Sequence, residues 1–392
     1  MASPVNTSVK FFTSDMVGAP AGFSGTVGSG LPVIHACLVT GFGTVTLTSL
    51  VVSGGIATAT FPTTHSAVPE SVVLISGVTN RTELNGEQKI LTKVGNTVTF
   101  ATAEPNSTAT GTITMGMAPL GWTRPFTGAN LAVYRAPDVD GTRFFLRIDD
   151  TVAADMRVVG YETMSAISTG SNLFPTAAQQ VGGLYWPKSD AVSSTTNPWM
   201  IIGDGKRFYL CVATYFAVNS AFESCYSFGF GDFTSYKATV DSFAAFLCGS
   251  INAAAWTGHL GFLAPAVDTS LSLTRSAAGA VGAVSADRIN SLSGSAGGVS
   301  GSSNALGPFP GVSDSLILTF TIIGETITTN GPRGRVAGVW LTPQSLQLTD
   351  FVKNDLVVGA SETVGRKLLV VPIGSGQGST GTAMFVDITG PW

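Results

Sequence analysis

Charge is what this sequence has least of. Of 392 residues, 20 are Lys or Arg and 24 are Asp or Glu, 11% of the chain, where an average soluble domain carries about 25%. No run of Lys or Arg occurs, and the net charge of −4 is spread thinly. The electrostatic footprint of a phosphate-backbone binder is missing, which excludes nucleic acid as an expected partner. Histidine is scarce too: His35, His65 and His259 stand far apart, without zinc-ligand spacing. The four cysteines, Cys37, Cys211, Cys225 and Cys248, form no C-x-x-C pair and lie in apolar contexts such as FYLCVAT and AFLCGS. They are expected as buried free thiols, with disulfide or metal use as the alternative. Long apolar runs are also lacking. Leu316 to Ile323 is far too short to cross a bilayer, so no membrane partner is expected. The opening MASPVNTSVKFF has no apolar core ahead of a small-residue cleavage site, which predicts a chain that starts in the cytoplasm.

What is present in quantity is glycine, 47 residues, with abundant Ser, Thr and Ala. A chain of this length has room for two or three domains and a sizeable core. A weakly charged exterior repels its own copies little and can be covered by neighbours without desolvating ions. That favours permanent assembly over the alternative, an exported monomer with a Ser/Thr-rich surface.

Along the chain the predicted architecture is mainly β, a multi-domain β-sandwich or barrel-like arrangement with an inserted small all-β module and few short helices. Residues 1–43 form an N-terminal segment of the main domain. In it Leu31, Ile34, Cys37 and Leu38, at spacings of three and four, predict a short buried helix that Gly41 and Gly43 stop. Residues 44–117 carry short Val/Ile/Thr runs bounded by Gly, Asn or Pro, and form the inserted module. Hairpin signals stand at 94–97 (VGNT) and at Asn85-Gly86. Residues 118–250 form the main β domain with longer, more aromatic strands. There Arg143, Phe145 and Arg147 alternate with Phe144, Leu146 and Ile148, predicting a strand with one polar face. Residues 242–248 (SFAAFLC) fit strand or helix equally. Residues 251–311, typified by SLSGSAGGVSGSSNALGPFPG, read as a Gly/Ala/Ser-rich loop or arm, either a linker or a segment ordered by wrapping a neighbour. Residues 312–392 return to strands that complete the main domain, and the final strand is expected to hold Trp392 in a sheet.

Several polar groups invite a chemical reading. Asp149 and Asp150, with Asp155 and Glu162 beyond, suggest a carboxylate pair for glycoside cleavage or calcium. Adjacent strand residues face opposite ways, however, so turn-capping carboxylates partnered by Arg147 or Arg157 are expected instead. The Gly203 to Lys206 stretch (GDGK) lacks the spacing of a phosphate-binding loop and has strands on both sides, which predicts a hairpin turn. The Gly-rich stretch 374–379 is expected to be a flexible connection. No G-x-S-x-G motif occurs. No catalytic, cofactor-binding or metal-ligating residue is assigned, and the chain is expected not to be an enzyme. Tyr185, Trp186 and Trp199 form an aromatic cluster that fits a contact or sugar-stacking platform, or equally packing beneath a Pro-containing loop.

The strings VKFFTSDMVGAP, HACLVTGFGTVTLTSLVVSGG, LNGEQKI, VTFATA, MAPLGWTRPFTG, NLAVYR, VVGYETMS, FPTAAQ, GLYWPKS and FVDITGPW cover most of the chain. Through them it resembles uncharacterised virion-associated structural proteins of tailed bacteriophages. The Gly/Ser-rich region after residue 250 carries least of the resemblance. What the resemblance implies is a location in the virion, with copies of itself and other virion structural proteins as partners. A tail or head–tail position is the first expectation. A decoration protein on the outer head shell is the alternative, and a receptor- or glycan-binding tail protein, meeting a host surface glycan, is a further one. Against this last stands the lack of coiled-coil heptads or solenoid repeats.

Overall fold

The computed structural model describes residues 3–214, 225–253, 269–277, 279, 282–290, 309–310, 315–325, 331–344, 346–347, 350–373 and 380–392. The chain is mainly β, in antiparallel ladders with few and short helices.

The Val/Thr-rich stretch folds into a barrel because its strands alternate. Leu50 and Val52, Ala57 and Ala59, and Val98 and Phe100 are buried, while the residues between them are half-buried or exposed. A side chain on every second residue faces one side of a strand, so these runs present one apolar face each. Sequential pairing joins Ser49–Ser53 to Ile56–Thr60, then to Thr97–Ala101, Gly86–Val94, Val72–Ser76 and Thr114–Met117. Residues 42–53 also run antiparallel to residues 107–117 along their length, from Phe42↔Met117 to Val52↔Ser107, which closes the sheet on itself. The 94–97 hairpin forms as expected, with Gly95 at φ 56°. Asn85-Gly86 does not make a two-residue turn. The Asn85 side chain instead donates to Val78 O at 2.9 Å and accepts from Val78 N at 3.0 Å, bracing a longer loop.

This barrel leaves and rejoins the rest of the chain at one place. The predicted helix is Gly30–His35, continued by a π-helical turn Ala36–Thr40 that Gly41 ends at φ 73°. The returning chain then bonds to that turn, Leu120 N to Cys37 O and Trp122 N to Leu38 O, each at 2.9 Å. Val33, Ile34, Cys37 and Leu38 are fully buried, whereas Leu31 is only half-buried. The barrel packs on the remainder through Phe12 against Phe42, the Lys10–Glu87 ion pair at 2.9 Å, and the buried Lys89 ammonium, which donates to Ile388 O. Burial pushes the Lys89 pKa down, and the charges of Glu70 and Asp387 resist it.

The body is a long antiparallel ladder. Neighbour by neighbour it runs through Lys10–Thr13, Trp199–Gly203, Arg207–Ala213, Cys225–Asp232, Ala245–Ser250, Thr269–Leu273, Val284–Asn290, Thr319–Glu325, Pro332–Leu341, Thr380–Asp387, Lys367–Ile373 and Leu356–Val358. A second ladder, from Thr123–Gly128 to Leu184–Pro187, joins it at Tyr185↔Ser250. Strands Trp199–Gly203, Arg207–Ala213, Cys225–Asp232 and Ala245–Ser250 are buried at every position. Phe208 meets Trp122 and Trp186 on one face, and Tyr209 meets Trp392 and donates to Ala337 O at 2.6 Å on the other. Adjacent residues thus support different layers.

Three expectations need correction, and one open choice closes. The 251–311 stretch is not all loop: Thr269–Leu273 and Val284–Asn290 are ladder strands, with Leu271, Leu273, Val284 and Ala286 buried. Small residues between those anchors masked the alternation. Much of 251–311, including 291–308, lies outside the described residues, as does 374–379. The 242–248 ambiguity resolves to a strand, Ala245–Ser250. The predicted strand is shorter, Phe145–Asp149: Leu146 and Ile148 are buried and Arg147 and Asp149 half-buried on the opposite face, but Phe145 on that face joins Val133, Val159 and Tyr161 in a second apolar cluster, and Arg143 lies outside the strand at φ 56°. Trp392 is held by its side chain, since the final strand ends at Asp387 and the indole Nε1 donates to Asp387 O at 2.7 Å.

His65, in the barrel's Phe61–Ser71 connection, is 2% exposed and stacks on Phe61 at 4.0 Å. Burial, then the charge of Lys93, holds its pKa below the ordinary 6.5. The unfolded chain therefore binds a proton that the folded chain refuses, so stability is fully present above pH 6.5 and falls as pH drops below it. Urea unfolding in that window should show this decline, and His65→Phe should flatten it.

Candidate functional site

The three aromatics singled out in the sequence do not form a platform. Trp186 and Trp199 are completely buried. Trp186 donates its Nε1–H to Cys248 O at 2.8 Å, stacks on Phe228 with ring centroids 6.1 Å apart, and meets Phe208 edge-on at 5.9 Å. Trp199 packs on the Gly22 backbone, where an added Cβ would lie 3.2 Å from its Cδ1. Tyr185 is half-buried, and the Arg157 guanidinium covers its ring at 3.8 Å and donates to its hydroxyl at 2.7 Å. The packing alternative describes all three, because short apolar runs around Pro187 and Pro198 put both indoles on inner strands.

The carboxylates are spent on structure. Asp149 accepts from Thr151 N at 3.1 Å and from Arg147, as a turn cap. Asp150, expected to pair with an arginine, is instead fully buried against the Lys188 ammonium and accepts from Gly30 N at 2.8 Å and Leu31 N at 3.1 Å, seating the helix start. Burial pushes its carboxyl up, against the pull of Lys188. Glu162 binds Arg275 through both oxygens, at 2.6 and 2.8 Å. Burial works upward on Glu162, but the Arg275 hydrogen bonds outweigh it and hold its pKa low. One ionic cluster among the described residues has no local sequence signal. Arg333 forks onto Asp241 at 2.7 and 2.8 Å and reaches Glu325 at 2.9 Å, all three being buried. Charged residues 92 and 8 positions apart carry no local motif. The stretch 203–206 is the expected hairpin, with Asp204 Oδ1 accepting from Lys206 N and Arg207 N at 2.7 and 2.8 Å.

All four cysteines are free and buried, and burial pushes the Cys37 thiol up. Among the described residues no group of three or more His, Cys, Asp or Glu gathers into a metal site.

Another surface that could meet a partner lies on the C-terminal strands, where an open groove is lined by Leu316, Leu318, Trp340, Val357, Val358 and Glu362. Trp340 meets Phe320 edge-on at 5.9 Å, and the Arg335 guanidinium sits 5.6 Å from the Phe320 ring. Beside it a single hairpin exposes Val352, Leu356, Val358 and Val364, by 59, 41, 77 and 71%. Groups of exposed apolar side chains mark interaction surfaces more often than isolated ones do. In the sequence its trace is NDLVVG, a short apolar run that reads as one more strand of the C-terminal part.

Trp186→Ala should lower the unfolding free energy by about 3–5 kcal/mol, as deletion of a buried aromatic does; a melting curve little changed, with loss of glycan binding, would restore the platform. Lys188→Met should cost a similar amount, about 3–5 kcal/mol in urea unfolding, by stranding a buried carboxylate.

No protein-family model matches the chain, and no curated protein matches it.

Proposed function

We propose that the protein is a structural component of a tailed bacteriophage virion, at the tail or its junction with the head, and that it acts by packing against copies of itself and other virion proteins. The observation that carries this reading is the C-terminal hairpin, with four exposed apolar side chains beside an aromatic groove on a chain that is 11% charged. Such a surface loses little by being covered, because few ions need desolvation.

Two further features support it. Asp149, Asp150 and Glu162, together with Asp241 and Glu325, are capped or ion-paired, which leaves them occupied in holding strands together. The strings that resemble virion-associated proteins run through both the barrel and the body. The indole pair offered for sugar stacking is inside the core, which takes away the feature that favoured a glycan-binding tail protein.

Quantitative mass spectrometry of purified particles tests the reading. Tens of copies or fewer per particle are expected of a tail or head–tail protein, and hundreds would move it to the outer head shell. Absence from particles would overturn the proposal.

A further inference from the structure

The strand Pro332–Leu341 leaves its neighbour Thr319–Glu325 partway along. Phe320 pairs with Trp340 and Ile322 with Arg335, so a single residue, Thr321, faces four, Val336 to Val339. The surplus residues arch out of the ladder as a wide bulge, the kind of break that recurs beside binding sites because it re-aims side chains and ends pairing. Gly338 lies in the bulge at φ 70°, and the Trp392 indole rests against it: an added Cβ would come 2.2 Å from Trp392 Cε2. The indole is fixed there by its hydrogen bond to Asp387 O.

The bulge floors a cleft of about 150 Å³ whose walls include the rings of Phe320, Trp340 and Trp392. All three rings are half-buried, so each keeps part of its surface open. The charged side chains around the cleft are of two sorts. Arg366 and Asp387 are occupied: they pair at 3.2 Å, Arg366 donates to Gly390 O at 2.8 Å, and Asp387 accepts from Thr389 N at 2.8 Å. Arg335 and Glu362 also line the cleft and are exposed, and among the described residues neither has a hydrogen-bond partner. The Arg335 guanidinium is instead held against the Phe320 ring, 5.6 Å from its centroid, which leaves its N–H groups free to donate.

We infer that this cleft is a binding site for one unit of a neutral saccharide. A free guanidinium only donates and a free carboxylate only accepts, so the ligand must offer both acceptors and donors, as hydroxyl groups do. The aromatic walls call for an apolar face on the same ligand, which the C–H face of a sugar ring supplies. Charge narrows the class further. An anion would meet Glu362 and Asp387 and a cation would meet Arg335 and Arg366, whereas a neutral ligand meets two of each sign. Space for a few waters, at about 30 Å³ each, is the size of a single ring. The buried indoles of Trp186 and Trp199 take no part, and the inference stands independently of the assembly reading above.

Saturation-transfer NMR on the full chain tests this, with the methyl glycosides of glucose, galactose, mannose and N-acetylglucosamine as probes at millimolar concentration. At least one should receive saturation at its ring protons. Arg335→Ala and Glu362→Gln should each weaken that binding by about tenfold, as loss of a hydrogen bond to a charged group does, with the melting temperature unchanged because both side chains are exposed and unpaired. Trp340→Ala should abolish it. Trp340 also packs in the C-terminal core, so the two exposed positions keep the test independent of folding. No transfer to any of the four glycosides, or transfer undiminished in either exposed-site variant, overturns the inference. Transfer to glycylglycine and to none of the sugars would assign the cleft to a zwitterionic peptide end and overturn the saccharide class.

Discussion

A sheet buried on both faces governs this molecule. Strands Trp199–Gly203, Arg207–Ala213, Cys225–Asp232 and Ala245–Ser250 expose nothing, so every side chain they carry must find a packing partner in a layer above or below. Phe208 and Tyr209 illustrate the constraint: neighbours in sequence, they sit in different layers, one against two indoles and the other against the final tryptophan. With few ions available, those layers are built from aromatics and aliphatics. Burying each large apolar side chain contributes about 1.5–3 kcal/mol. The charges that do enter the interior have partners, Asp150 with Lys188, Arg333 with Asp241 and Glu325, and the Lys89 ammonium with the Ile388 carbonyl, since a buried charge without one would be prohibitively costly.

The sequence made the barrel legible and the body less so. Barrel strands such as Ser49–Ser53 have one wet face, and period-two alternation records that directly. Strands like Arg207–Ala213 are wet on neither face, so alternation vanishes, and the ambiguous 242–248 run is a case of the same loss. The two strands hidden in the Gly/Ala/Ser-rich stretch escaped notice because each is anchored by two buried residues amid small ones. The short helix was visible from its spacing, but its π-helical continuation was not, since that depends on the later return of Leu120 and Trp122.

The site was less legible than the fold. Aromatic residues near prolines draw the eye in a sequence, yet composition does not say which side of a sheet they face, and Trp186 and Trp199 face inward. The exposed hairpin drew no notice because valine and leucine in a short run look like any other core strand. What sets Leu356–Val358 apart is its position at the end of a ladder, and ladder order comes from long-range pairing that no local pattern encodes.

The closed barrel has its two ends side by side, at the Phe42↔Met117 pair. Paired Cα atoms across an antiparallel ladder are only about 4.5–5.5 Å apart, a gap one or two residues can bridge. The two halves of the body therefore meet at that point. The barrel that projects between them is held against the body by the buried Lys89 ammonium on Ile388 O and by the Lys10–Glu87 and Lys367–Glu70 ion pairs, so core and ionic contacts run across the junction.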